Sequence, residues 1–129
     1  MGLFEGVFGK KSESGKVENK IPWISLVTME QLDEIKEKSK SRSQLIFKHS
    51  TTCGISRMVL NMFTGSYNLG EENDIYFLDL HAHRDVSNAV ASKFKVLHQS
   101  PQLLIIKNGE VSFHTSHGAI ADIDLTEYV

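Results

Sequence analysis

The stretch Leu45-Ile46-Phe47-Lys48-His49-Ser50-Thr51-Thr52-Cys53-Gly54-Ile55-Ser56-Arg57-Met58-Val59-Leu60-Asn61-Met62-Phe63 decides the fold. Its first five residues form a short, mostly continuous apolar run, the pattern of a strand covered on both faces by helices. Beyond the three hydroxyl residues the period changes. Ile55, Met58, Val59, Met62 and Phe63 stand at i, i+3, i+4, i+7 and i+8, which predicts one apolar face of an amphipathic helix. Cys53 therefore falls at a strand-to-helix junction. There it faces the unpaired N–H groups of a first helical turn and the positive end of the helix dipole, both of which favour a reactive thiolate.

Upstream, Ile24 to Val27 is a short apolar stretch, and Thr28-Met29-Glu30-Gln31 has the form of a capping box that starts a helix. Met29, Leu32 and Ile35 follow at helical spacing, with Lys36, Lys38, Lys40 and Arg42 where cations favour a helix C-terminus. Residues 10–20 are charged, small and aperiodic, so residues 1–21 are expected to be a flexible tail and residues 22–129 the folded domain. Downstream, Asn68-Leu69-Gly70 and the acidic loop Glu71 to Asp74 precede a second core strand, Ile75 to Leu80. Val86, Ala89, Val90 and Phe94 outline another helix, with Asp85 or Ser87 as its expected cap. Leu103 to Ile106 is a third core strand, joined through Asn108-Gly109 to Val111–His114; Asn-Gly between two such runs predicts a hairpin. Ile120, Ile123 and Leu125 suggest a short final helix. Strands separated by helices, ending in an antiparallel hairpin, make an α/β domain with a mixed central sheet and helices on both faces.

Composition limits the chemistry. A chain of 129 residues that is 40% hydrophobic suits one domain with an ordinary core. A formal net charge of -2 supplies no basic field for nucleic acid or acidic lipid, and the apolar runs are too short to span a bilayer. No basic region precedes the N-terminal apolar residues as an export signal requires, so a cytoplasmic location is expected. The single cysteine has no internal disulfide partner, which fits a reducing compartment. Ser56 stands where a second cysteine would complete a Cys-x-x-Cys pair, so any mixed disulfide on Cys53 must be resolved by an external thiol. Gly54 removes side-chain bulk beside the sulfur and lets a disulfide-bonded partner approach the backbone.

The stretch Phe47 to Ser56, together with Ser100-Pro101-Gln102, Asn108-Gly109-Glu110-Val111 and His114-Thr115-Ser116-His117, resembles the monothiol bacilliredoxin family, the YtxJ-like group of thioredoxin-fold proteins. The likeness covers roughly residues 24–129. It implies a thioredoxin-like fold, with Cys53 as the catalytic thiol and Thr52, Gly54, Ile55, Ser56, Ser100 and Pro101 as substrate-contacting residues. The implied activity is removal of bacillithiol from mixed disulfides on cytosolic client proteins, with bacillithiol as the exchanging thiol and no bound cofactor. It also implies that the Ser100-Pro101 bond is cis and faces the cysteine. The family's usual motif has proline after the cysteine; Gly54 departs from it.

Other readings use the same residues. Thr52-Cys53-Gly54-Ile55-Ser56 is one side chain from the Cys-Gly-Phe-Ser motif of monothiol glutaredoxins, which carry iron-sulfur clusters between two chains. A thioredoxin-like interaction module with a merely structural cysteine is a third. His81, His83, His114 and His117 lack the cysteine or carboxylate partners of a zinc site. Of Lys48 and His49, strand alternation sends one away from the cysteine.

Overall fold

The computed structural model describes residues 21–129. Eight elements carry the fold: β1 (Ile24–Ser25), α1 (Glu30–Lys38), β2 (Gln44–His49), α2 (Gly54–Ser66), β3 (Asp74–Asp79), α3 (Arg84–Phe94), β4 (Gln102–Lys107) and β5 (Glu110–Ser116). The five strands form one sheet in the order β1-β3-β2-β4-β5. The first three run parallel, while β4 is antiparallel to β2 and β5 antiparallel to β4. The expected mixed sheet is present.

Alternation along the strands divides the core in two. Ile46, Leu78, Leu104 and Ile106 point toward α1 and α3, where they meet Leu32, Ile35, Val86, Val90 and Phe94. Leu45, Phe47, Leu103 and Ile105 point the other way, against Val59 and Phe63 of α2 and against Ile120 and Leu125. Both faces of β2 are thus interior, which is why Leu45, Ile46 and Phe47 follow one another without polar alternation. Ile21, assigned to the tail by its sequence context, is buried in this second cluster. The remainder of the expected tail, residues 1–20, lies outside the described residues.

Local chemistry fixes the boundaries. The capping box forms, with Gln31 N–H donating to Thr28 Oγ1 at 3.3 Å and Thr28 N–H to Gln31 Oε1 at 3.0 Å. Asn108 and Gly109 both have positive φ, 55° and 85°, the two left-handed residues of a type I′ hairpin turn. That turn is fastened to the end of α1, because Ser39 accepts both the Asn108 N–H and the Gly109 N–H.

Three expectations need correction. The helix α3 begins ahead of its supposed caps, two residues before Asp85 and four before Ser87: His83 is the N-cap, and neither Asp85 nor Ser87 caps it. Instead Asp79 Oδ1 accepts the His81 and Ala82 N–H groups in the preceding loop, while Ser87 is buried inside the helix. The expected short final helix is divided into two 3-10 segments, His117–Asp122 and Leu125–Glu127. The apolar face expected for α2 is split. Val59 and Phe63 enter the core, but Ile55, Met58 and Met62 are 58%, 55% and 51% exposed. A helix lying on one side of a sheet needs only a narrow buried stripe, and five periodic residues exceed it.

Candidate active site

The register that builds the sheet also assembles the site. In the parallel pair, His49 at the end of β2 lies opposite Asp79 at the end of β3. The loops that follow, Ser50–Cys53 and Leu80–His83, therefore emerge side by side at the carboxyl ends of the strands, the usual location of sites in open α/β sheets. The Leu80 N–H donating to the His49 carbonyl at 3.0 Å carries the pairing one residue further. On the other side, Lys48 lies opposite Gln102 in antiparallel register. The strand β4 begins at Gln102, so Ser100 and Pro101 lead into it at this same end of the sheet.

Cys53 is the N-cap residue of α2, in extended conformation and partly exposed. Its N–H closes a turn onto the Ser50 carbonyl at 3.3 Å, and its own carbonyl accepts the Arg57 N–H at 3.2 Å. That bond is the first of the helix, so the amides of Gly54, Ile55 and Ser56 precede the intrahelical ladder, and the Cys53 side chain makes no capping bond of its own. The sulfur thus stands at an open helix start. A Cβ added at Gly54 would meet nothing within 4 Å, so the space in front of residue 54 is free.

A polar network holds this loop. Ser56 is fully buried. Its Oγ accepts the Ser50 N–H at 3.1 Å and lies 2.9 Å from His49 Nδ1. Burial holds His49 below its ordinary value, partly opposed by Asp79 and assisted by Arg57, so the ring is neutral near pH 7. The Ser56 hydroxyl then has its own proton free for Nδ1, an assignment that puts the imidazole proton on Nε2. His81 approaches from the neighbouring loop, with Nε2 2.8 Å from Ser50 Oγ and 3.0 Å from Thr52 Oγ1. Arg57 reaches back to the Thr51 carbonyl at 3.5 Å.

Among the residues singled out from the sequence, Thr52, Gly54 and Ile55 are exposed around Cys53. Ser100 and Pro101 flank the same mouth, joined by a cis peptide bond as the resemblance implied, and Pro101 offers its carbonyl to the His117 N–H at 3.0 Å. Ser56 differs: its hydroxyl is enclosed and already engaged, so it acts on the site by tying the end of β2 to α2. His81 was missed as a loop-holding residue. Nothing in its spacing marks it, since only the β2–β3 pairing brings position 81 to positions 50 and 52. Lys48 points to the opposite face of the sheet from His49, and that direction is also interior. Among the described residues no group of three His, Cys, Asp or Glu side chains is placed to hold a metal, and no helix is long and apolar enough to cross a membrane.

Comparison with known proteins agrees with this geometry. Residues 24–125 match the family model of the monothiol bacilliredoxin BrxC. A solved structure described as a candidate oxidoreductase with a thioredoxin fold is 30% identical, with TM-score 0.70, covering 82% of this chain and 92% of that one. Thioredoxin from Malassezia sympodialis superposes with TM-score 0.64 at 15% identity, over 81% of this chain and 88% of its own. Thioredoxin O2 from Arabidopsis thaliana does so with TM-score 0.58 at 18% identity, over 81% and 86%. The last two share the fold alone, whereas the family model spans every element from β1 through the 3-10 segment His117–Asp122. With its α/β architecture thioredoxin-like and its lone thiol at the start of α2, the chain belongs to the monothiol bacilliredoxin family, which carries a thiol oxidoreductase type of role.

Proposed function

We propose that the protein removes bacillithiol from S-bacillithiolated client proteins by thiol-disulfide exchange at Cys53. The observation that carries this reading is a single, partly exposed thiol at an open helix N-terminus whose i+3 neighbour, Ser56, is buried and chemically silent. Such a site can accept a thiol from a disulfide and cannot discharge it internally.

The Cys53 thiolate attacks the bacillithiol sulfur of the mixed disulfide. The S–S bond to the client breaks, the client leaves as a thiolate that takes a proton from water, and Cys53 becomes bacillithiolated. A second bacillithiol thiolate then attacks the sulfur of that moiety, forming bacillithiol disulfide and restoring Cys53; no net oxidation of the protein occurs. The exposed positions Thr52, Gly54 and Ile55 contact the incoming disulfide, and Ser100 and Pro101 bound it on the β4 side. Gly54 leaves room for the client backbone. The clients and the low-molecular-weight thiol are its partners, in the cytoplasm.

Incubating a bacillithiolated protein with wild type and with Cys53→Ser, then quantifying released client thiol, tests the proposal. Wild type should release the thiol and the variant should not. Release by both, or by neither, would overturn it.

A further inference from the structure

Lys48 is the one buried cation in the described chain that exchange at Cys53 leaves without a role. It has no exposed surface. Its Nζ donates to the Ser87 carbonyl of α3 at 3.2 Å and lies 3.2 Å from His98 Nδ1. Ser87 Oγ is 3.4 Å from the same ring nitrogen. A buried ammonium with a carbonyl and an imidazole for partners, and no carboxylate among the described residues, costs stability relative to an apolar side chain of the same size.

What the lysine touches indicates its use. His98 belongs to the segment between α3 and β4, three residues before Pro101. Gln102, directly across from Lys48 in the β2–β4 register, donates its Nε2 to the Leu97 carbonyl at 3.0 Å. Two buried polar side chains at one level of adjacent strands thus fasten consecutive residues, Leu97 and His98, of the segment that delivers Ser100 and Pro101 to the mouth beside Cys53.

We propose that Lys48 is a positioning residue for thiol exchange, fastening the 97–101 segment through His98 so that Ser100 and Pro101 stand fixed against the Cys53 loop and receive the client. The proposal rests on the reading of Cys53 as the exchanging thiol. Lys48 touches no substrate; it acts through His98 on the wall that does.

The pH behaviour follows from the groups around it. Burial pushes Lys48 down to about 8, and burial, Lys48 and Arg84 together hold His98 low. The groups around it are His98 from the segment and the Ser87 carbonyl from α3, with Gln102 of β4 and Leu78 of β3 opposite in register; Arg84 of α3 acts on His98. Near pH 7 His98 is therefore neutral and accepting while Lys48 is charged, and the charge-assisted bond weakens as Lys48 loses its proton above pH 8.

The test uses the full chain, a bacillithiolated peptide and iodoacetamide, with Lys48→Met and His98→Leu. Each variant should raise KM for the peptide at least threefold while changing the Cys53 alkylation rate less than twofold. The wild-type KM should rise through pH 8, and that of Lys48→Met should not. Unchanged KM in both variants, or alkylation falling in step with exchange, would overturn the role. His98 lies in a partly exposed loop, so His98→Leu decides alone should Lys48→Met fail to fold. Wild-type inactivity on the peptide would contradict the proposed function instead. In that event amide hydrogen exchange of Gln99 and Ser100 decides the fastening: at least threefold faster in the variants supports it, and equal rates refute it.

Discussion

The buried lysine makes a prediction about stability that needs no substrate. Lys48 titrates at about 8 in the folded chain and at its ordinary 10.5 when unfolded. Below pH 8 both states carry the proton and the desolvation cost is constant. Between pH 8 and 10.5 the unfolded chain holds a proton that the folded chain has released, so unfolding free energy rises with pH. At 1.36 kcal/mol per pKa unit the full difference is about 3 kcal/mol. Lys48→Met removes the titration. At pH 7 the variant should be as stable as wild type or more so, because the lost bonds to Ser87 and His98 are offset by the relieved desolvation. Tyr76, pushed up to about 12, and Tyr67, also raised, act in the opposite direction above pH 10. They are present in both proteins and cancel in the difference. Urea unfolding of the pair at intervals from pH 7 to 10.5 should show wild type gaining on the variant by about 2–3 kcal/mol. A difference that stays flat within about 0.5 kcal/mol across that range would mean that the ammonium is solvated, and the burial argument fails with it.

Ser56→Ala should destabilise the chain by about 1–3 kcal/mol in chemical denaturation, since it leaves the Ser50 N–H buried without its acceptor; a change below the error would mean that the loop is held elsewhere. Gly54→Pro should be accepted. Cys53 already has φ -107° and ψ 121°, the conformation a residue before proline prefers, and position 54 is the first of the helix. The gain expected from the restricted unfolded chain is about 0.4–1 kcal/mol, and a loss in thermal melts would refute it. His49 and His98 are both held low by burial, so the unfolded chain takes up their protons first as pH falls below 6.5. Stability should drop there, and His49→Gln should lose less of it between pH 6.5 and 5 than wild type.

Much of this was legible in the sequence because the relevant signals are local. The change of period between Phe47 and Ile55 marks the strand-to-helix junction, and Asn108-Gly109 marks the hairpin. Ser100-Pro101 was recognisable through its resemblance to a family pattern. Signals that depend on tertiary context were not readable. Periodicity gave α2 a face that includes Ile55, Met58 and Met62, but how wide a stripe the sheet covers is decided by packing. Alternation required that one of Lys48 and His49 point away from Cys53 without deciding which; the register makes it Lys48, and only the presence of α3 on that side makes the direction interior. His81 and Ser50 are 31 positions apart, and their contact exists because β2 and β3 are parallel neighbours ending at the same level. Ser56 looked like a replaced resolving thiol, and its enclosure beneath the loop became visible only with the His49 contact.

Intact-mass analysis of the protein after one turnover with a stoichiometric bacillithiolated peptide puts the exchange to its most direct test. Transfer of the bacillithiol mass to Cys53, with the peptide recovered as free thiol, is the predicted outcome. A peptide adduct on Cys53, or an unmodified Cys53 beside an intact mixed disulfide, would contradict it.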